Sequence, residues 1–149
     1  MDTERFTPFV LYIERISKNI KRIADEKVEP YGLRSAHVMC ILQLGKSKEG
    51  LSSSALADAC GVDKAFVSRI TSELLEKNYI EKKDKCTGKY KIKFVLTQAG
   101  EGLHRELINI VMECLSQVDS RLSMKKLEIF YDVLNDIDNG ISNLVKKEK

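Results

Sequence analysis

Residues 51–70 read Leu51-Ser52-Ser53-Ser54-Ala55-Leu56-Ala57-Asp58-Ala59-Cys60-Gly61-Val62-Asp63-Lys64-Ala65-Phe66-Val67-Ser68-Arg69-Ile70. Ser52 is a helix-capping residue type, and Leu56 with Ala59 gives the short helix behind it an apolar side that Gly61 closes. Asp63 is a second capping type, followed by Val67, Ile70 and Leu74 at the spacing of a helix with one buried face. Two short capped helices across a glycine turn predict a helix-turn-helix. Ala55, Ala57 and Ala59 are small enough to let the two helices approach closely. At about 100° per residue, the side of the second helix opposite Val67, Ile70 and Leu74 carries Ala65, Ser68, Arg69, Ser72 and Glu76. That face is small and hydrogen-bonding in its N-terminal half. Arg69 there is long enough to engage a guanine edge through two hydrogen bonds. Lys64 at the rim suits a phosphate or a base, and the helix N-terminus itself favours a phosphate. Glu76, at the far end, is expected to stay out of a groove. Taken alone, the same pattern also describes a solvated helix face, and the segment that follows separates the two readings.

From Tyr79 the period changes from 3.6 to 2. Tyr79 to Lys83 reads as one strand. Tyr90, Ile92, Phe94 and Leu96, alternating with Lys89, Lys91, Lys93 and Val95, read as a second, with Asp84-Lys85-Cys86-Thr87-Gly88 as a polar turn between them. The hairpin carries lysines at 82, 83, 85, 89, 91 and 93 against Glu81 and Asp84. Beside a recognition helix such a hairpin reaches the flanking backbone or minor groove, where lysine supplies salt-dependent affinity more than sequence choice. A charged edge strand also guards against aggregation. Between Gly61 and Val95 nine basic residues face five acidic ones, so this window holds +4 of a chain whose net charge is +3. The basic residues form one strip on a nearly neutral body.

On the N-terminal side, Thr7 and Pro8 read as the cap and first position of a helix. Phe9, Ile13, Ile16, Ile20 and Ile23 give it one apolar stripe, ending before Pro30. A second helix is expected from Ser35 to Leu44, stopped by Gly45, with a polar loop from Ser47 to Gly50. On the C-terminal side Thr97 opens a long helix through Leu103, Leu107, Val111, Leu115, Val118 and Leu122. Ser123 caps the last one, with Leu122 and Leu127 at the two staple positions. Leu127, Phe130, Leu134, Ile137, Ile141 and Leu144 repeat as the seam of helices packed lengthwise. Gly140 interrupts it at a cost of about 1 kcal/mol relative to Ala. The expected fold is mainly α with a small antiparallel β-hairpin wing, as a single domain over residues 1–149. Within it, 31–97 forms a winged helix-turn-helix lobe, and 1–30 with 98–149 a helical dimerisation region. The terminal stripes exceed what one small winged core needs. They either pack within the chain or interleave with a second copy.

Composition bounds the rest. The 149 residues are 43% hydrophobic and 32% charged, which suits a folded domain and neither a disordered tail nor a membrane protein. No apolar run exceeds five residues, as in Val38 to Leu42, far short of a bilayer span. The opening Met1-Asp2-Thr3-Glu4-Arg5 lacks the pattern of a secretory signal, and the expected compartment is the cytoplasm. Cys40, Cys60, Cys86 and Cys114 lie 20, 26 and 28 residues apart with no C-x-x-C and no histidine at ligand spacing, which is no zinc framework. Cys40, Cys60 and Cys114 read as small core residues. Cys86, on the hairpin among lysines, is the thiol most open to oxidation. Ser52-Ser53-Ser54 sits where caps belong and has no accompanying base, and the glycines form no phosphate loop. No enzymatic activity, cofactor or metal is expected.

Taken together, these residues resemble the MarR-type winged helix-turn-helix regulators. The likeness rests on Leu56-Ala57, Gly61-Val62, Val67-Ser68-Arg69, Leu74-Leu75-Glu76-Lys77 and Tyr79-Ile80-Glu81-Lys82. Leu96-Thr97-Gln98-Ala99-Gly100 then closes the wing as the family's Leu-Thr-x-x-Gly does. Helix order and length match over nearly the whole chain. The resemblance implies a homodimer on a pseudo-palindromic double-stranded operator, usually a repressor. It places contacts at Lys64, Ala65, Phe66, Ser68, Arg69 and Ser72; Ser52 at the neighbouring helix start and Lys83, Lys85, Lys89 and Lys91 on the wing are further candidate DNA contacts read from the residues themselves. Phe66 departs from the small polar residue commoner there. The family's wing-tip Asp-Arg-Arg is replaced by Gly88, Lys89 and Tyr90. Lys89 can stand in for the arginine that enters the minor groove, but the acid that would orient it is missing. Relatives often hold a small-molecule effector between the dimerisation helices and the lobe, and His37 matches a position where some carry a pocket-lining histidine. A buried histidine with a backbone partner is the alternative reading of His37. With only His37 and His104 in the chain, the family's metal-sensing branch is not matched. Two rival functions stay open: an architectural DNA binder with little sequence preference, and a winged-helix module that docks another protein.

Overall fold

The computed structural model describes residues 3–83, 92–119 and 122–147. In chain order it forms α1 (Thr3–Val28), a 3-10 turn (Glu29–Tyr31), α2 (Ser35–Gly45), β1 (Leu51–Ser52), α3 (Ser53–Cys60) and α4 (Lys64–Glu76). β2 (Ile80–Lys83), β3 (Lys93–Leu96), α5 (Gln98–Asp119) and α6 (Met124–Lys147) follow. The chain divides into two compact units, Met1–Ile110 and Val111–Lys149, with the boundary inside α5.

The first unit is built around one apolar core. Cys40, Ile41 and Leu44 of α2, Leu56 and Ala57 of α3, and Val67, Ile70 and Leu74 of α4 are buried there. Ile80 and Phe94 reach it from the sheet, and Leu103 and Leu107 from the first half of α5. The inward face expected for the second helix of the motif is therefore the one observed. The sheet is antiparallel in the order β1-β3-β2, with Leu51 opposite Phe94, Ile80 opposite Leu96, and Lys83 opposite Lys93. Alternation across the strands brings Ile80 and Phe94 onto the core while the lysines stay outside or half-buried.

In the second unit, the Ser123 hydroxyl accepts from the Lys126 amide at 3.4 Å and starts α6, as its residue type predicts. Phe130 and Tyr131 meet edge to face, with ring centroids 5.4 Å apart. Of the seam residues, Leu127, Leu134 and Ile137 are half-buried, and Phe130, Ile141 and Leu144 are exposed. The stripe on α1 is likewise open, with Ile13, Ile16, Ile20 and Ile23 all exposed.

Four local expectations need correction. Helix α1 starts at least four residues before Thr7, so Pro8 lies inside it. Proline there removes one hydrogen bond, to the Glu4 carbonyl, in a turn close to the helix end, and the helix continues past it. Ala59 is exposed, because the buried side of α3 runs through Leu56, Ala57 and half-buried Cys60. The first wing strand begins at Ile80 rather than Tyr79. A two-residue strand, β1, adds a third member to the sheet. The expected hairpin tip falls within residues 84–91, outside the described residues.

Candidate nucleic-acid interface

The helix-turn-helix is fixed by its caps. The Ser52 hydroxyl accepts from the Ala55 amide at 3.2 Å and starts α3. Gly61 ends that helix in the left-handed region at φ +65°, where its amide and that of Val62 return to the carbonyls of Asp58 and Ala57. Asp63 Oδ1 then accepts from the Phe66 amide at 2.7 Å and starts α4. Asn78, with φ +61°, closes α4, and the amides of Asn78 and Tyr79 bond to the carbonyls of Leu75 and Leu74. Asparagine is one of the few residues with a side chain that tolerates this conformation.

With Val67, Ile70, Thr71 and Leu74 turned inward, α4 leaves Lys64, Ala65, Ser68, Arg69, Ser72 and Glu76 exposed. Buried Thr71 donates its hydroxyl to the carbonyl of Val67 at 2.9 Å, so its burial leaves no donor unpaired. Ser72 donates to the Ser68 carbonyl at 2.9 Å. Phe66 is half-buried against the edge of the core, and the Arg69 guanidinium lies 5.2 Å from its ring centroid. This cation–π contact is worth about 0.5–1 kcal/mol at an exposed site. Its consequence is geometric: it limits the paths open to the Arg69 side chain, lowering the entropy lost when the guanidinium engages a ligand. The i,i+3 spacing of Phe66 and Arg69 was the sequence signal for this contact.

A bracket that sequence spacing does not reveal holds α4 against α2. The Arg34 amide donates to His37 Nδ1 at 3.0 Å, which leaves Nε2 as the protonated nitrogen, donating to Glu73 Oε2 at 2.8 Å. Arg34 Nη2 donates to both oxygens of the same carboxylate, at 3.2 and 3.0 Å. Burial pushes the Glu73 carboxyl up, but the hydrogen bonds from Arg34 and His37, with the Arg34 charge, outweigh it and hold the group below its ordinary value. His37 is 1% exposed with both ring nitrogens engaged. It does not line the hollow of about 240 Å³ bounded by Leu44, Gly45, Lys48, Leu96, His104 and Arg105. A separate tie joins the end of α1 to the start of α2, where Asp25 Oδ1 accepts from the Ser35 amide at 2.6 Å. That bond, a further one from the Ser35 side chain and the Arg34 charge hold the Asp25 carboxyl below its ordinary value.

The root of the wing is clasped by Thr97. Its hydroxyl donates to the Asn78 carbonyl at 2.6 Å and accepts from the Gly100 amide at 3.0 Å, and its own amide bonds to the Tyr79 carbonyl at 3.1 Å. Gly100 is required at this crossing, since a Cβ there would collide with the Tyr79 carbonyl oxygen. Exposed Lys82 and Lys83 stand on β2, and Lys83 is directly opposite Lys93. Ser52, on the edge strand, pairs with Lys93 from the other side. Of the remaining expected site residues, Lys85, Lys89, Lys91 and Cys86 lie outside the described residues.

The surroundings of this site match a known family. A model of the MarR family matches residues 31–88, from the 3-10 turn through the helix-turn-helix into the wing. A MarR protein from Peptoclostridium difficile superposes with a TM-score of 0.83 at 16% identity, over 95% of this chain and 92% of its own. This is a MarR-type fold. The MepR–DNA complex of S. aureus superposes at 0.80 with 21% identity, over 89% of this chain and 97% of that one. A putative MarR family transcriptional regulator from Listeria monocytogenes, complexed with a 26mer DNA, superposes at 0.82 with 16% identity, over 90% and 89%. No curated protein matches the sequence. The resemblance drawn from the sequence therefore holds, and the family's match falls on the lobe that carries α3, α4 and the wing.

Proposed function

We propose that the protein is a homodimeric, sequence-specific regulator of transcription that binds a pseudo-palindromic double-stranded operator, represses from it, and is released by a small-molecule effector. One observation carries this reading: the outward face of α4 presents Lys64, Ala65, Ser68, Arg69 and Ser72 together, with Arg69 braced on Phe66. Arg69 reads a base edge, and Ser68 and Ser72 hydrogen-bond beside it. Two of the structures that share the fold were solved with DNA.

The wing adds the sequence-independent part. Lys83 and Lys93 face each other across the strands, and like charges so placed repel. A phosphate between them removes that repulsion, so the pair favours a bound backbone over open solvent. Lys85, Lys89 and Lys91 extend the same charge in sequence. Ser52, whose hydroxyl already caps α3, joins them at the base of the sheet.

Dimerisation follows from the apolar faces on the terminal helices. Ile20 of α1 is 61% exposed and Leu144 of α6 is 65% exposed in the single chain. Apolar stripes of this length on a soluble chain mark an interaction surface. Covering them with a second copy, through 1–30 and 98–149, sets two α4 helices at the spacing of paired half-sites. Among the described residues no helix is long and apolar enough to cross a membrane. The cytoplasm is the compartment proposed.

The test is a titration of purified protein on DNA from immediately upstream of its own gene against random DNA of equal length, at two salt concentrations. Preference of about a thousandfold, with a footprint of two half-sites one helical turn apart, is the expected result. Equal affinity for both DNAs with steep salt dependence would replace this reading by the architectural one. Absence of binding to either would favour the protein-docking module.

A further inference from the structure

We propose that Cys40 and Cys60 form a redox-active dithiol inside the helix-turn-helix, closing to a disulfide when a hydroperoxide oxidises Cys60. The two thiols lie 20 residues apart in sequence, on α2 and at the last position of α3, yet their sulfurs are 3.8 Å apart. Cys40 is sealed in the core at 1% exposure, whereas Cys60 is only half-buried. The pair thus combines a less buried cysteine with a shielded resolving one.

The contact also sets their reactivities. Donation by the Cys40 thiol stabilises a thiolate on Cys60 and lowers its pKa, against the opposing effect of burial. The same bond, with burial and the nearby Cys60 charge, raises Cys40. The Cys60 thiolate is the nucleophile and Cys40 keeps its proton until the second step.

The chemistry balances with one hydroperoxide. Cys60 Sγ attacks the terminal peroxide oxygen: an S–O bond forms, the O–O bond breaks, and the alkoxide leaves and takes up the proton lost from Cys60. Cys40 Sγ then attacks the Cys60 sulfenic acid: the S–S bond forms, the S–O bond breaks, and the departing hydroxide takes the Cys40 proton as water. Two thiols and ROOH become a disulfide, ROH and water, with two electrons passing from sulfur to oxygen.

Closure has a direction. A disulfide holds its sulfurs at about 2.05 Å, so the pair must draw together by about 1.8 Å. Cys40 is flanked by buried Ile41 and Leu44, which hold that side in place. The shift therefore falls on the end of α3 and the Gly61 turn, where a Cβ would meet nothing within 4 Å. Two residues later Asp63 starts α4, so oxidation displaces the N-terminal half of the outward face. This second step, a loss of operator affinity on oxidation, rests on the function proposed above.

The experiment uses full-length protein carrying Cys86→Ser and Cys114→Ser, which leaves only the pair. Treatment with cumene hydroperoxide, followed by non-reducing peptide mass mapping, is expected to give a peptide cross-linked between Cys40 and Cys60 that dithiothreitol releases. Adding Cys40→Ser, or Cys40→Ala where serine impairs folding, should leave a Cys60 sulfenic acid that dimedone traps. Both thiols remaining free, or dimedone labelling Cys40 in preference to Cys60, would overturn the dithiol assignment. In parallel, affinity for the upstream DNA should fall at least tenfold on oxidation and return with dithiothreitol. A cross-link formed with unchanged affinity overturns the switch. If the reduced protein does not bind that DNA at all, the function proposed above fails, and the mass mapping still decides the dithiol.

Discussion

Replacing Glu73 should separate the contributions of the bracket that fixes α4 on α2. Glu73→Ala removes the acceptor of the His37 Nε2–H bond, and because His37 is buried that donor cannot turn to water. A buried donor left unsatisfied costs about 1–3 kcal/mol. The Arg34 pair adds little: its side chain is 64% exposed, and such pairs contribute about 0–1 kcal/mol. The expected loss is therefore about 1–4 kcal/mol, and each kcal/mol lowers the melting temperature of a chain this size by about 2–4 °C. Glu73→Gln keeps a carbonyl oxygen for His37 and loses only the charge, so it should cost about 1 kcal/mol. Arg34→Ala should cost no more than about 1 kcal/mol. Urea unfolding followed by circular dichroism, with all variants at one protein concentration, measures the order. The pH dependence has a definite sign. A carboxylate whose folded pKa lies below its unfolded one contributes fully above the unfolded value, about 4.3 for glutamate, and the contribution disappears as pH falls through the folded value. The parent should lose stability through that acid window, and Glu73→Gln should flatten that part of the profile. If Glu73→Ala unfolds within about 0.5 kcal/mol of the parent, the bracket is not what holds the two helices together.

Three further outcomes follow from the site. Arg69→Ala should cost about 1–3 kcal/mol at one base position of the operator, read by competition with single-base variants; a uniform loss across all sequences would assign Arg69 to the phosphates. Lys83→Ala should weaken binding to every DNA about equally and lower the slope of log affinity against log salt by about one, with thermal stability unchanged or raised by relief of its repulsion with Lys93. Gly100→Ala forces a Cβ onto the Tyr79 carbonyl and should destabilise by about 1–3 kcal/mol in a thermal melt, where an unchanged melt would show that α5 yields at that crossing.

The features legible in the sequence were those written in short-range chemistry. Ser52, Asp63, Gly61 and Ser123 act locally, and each caps or closes the helix its residue type predicts. The inward set of α4 was equally plain, because Val67, Ile70 and Leu74 obey one period. Pairings between distant residues were not. His37 and Glu73 are 36 positions apart and Cys40 and Cys60 are 20 apart, and nothing in either spacing marks a partner. Only the close approach of α2 to α3 and α4 creates those contacts. Strand β1 is two residues long and has no period to read; it exists because β3 presents an unpaired edge beside it. Pro8 misled through a residue preference that the helix overrode at the loss of one hydrogen bond.

The clasp at Thr97 has a consequence for how this chain can be re-engineered or can diverge. Thr97 ties the end of α4 and the start of α5 together through Asn78, Tyr79 and Gly100, so the two ends of the hairpin are joined below its strands. The sequence between Lys83 and Ile92 is then a replaceable cassette: its length and charge can change while the recognition surface upstream keeps its seat. Under the function proposed above, that cassette is the place to graft new preferences for flanking DNA, one loop at a time.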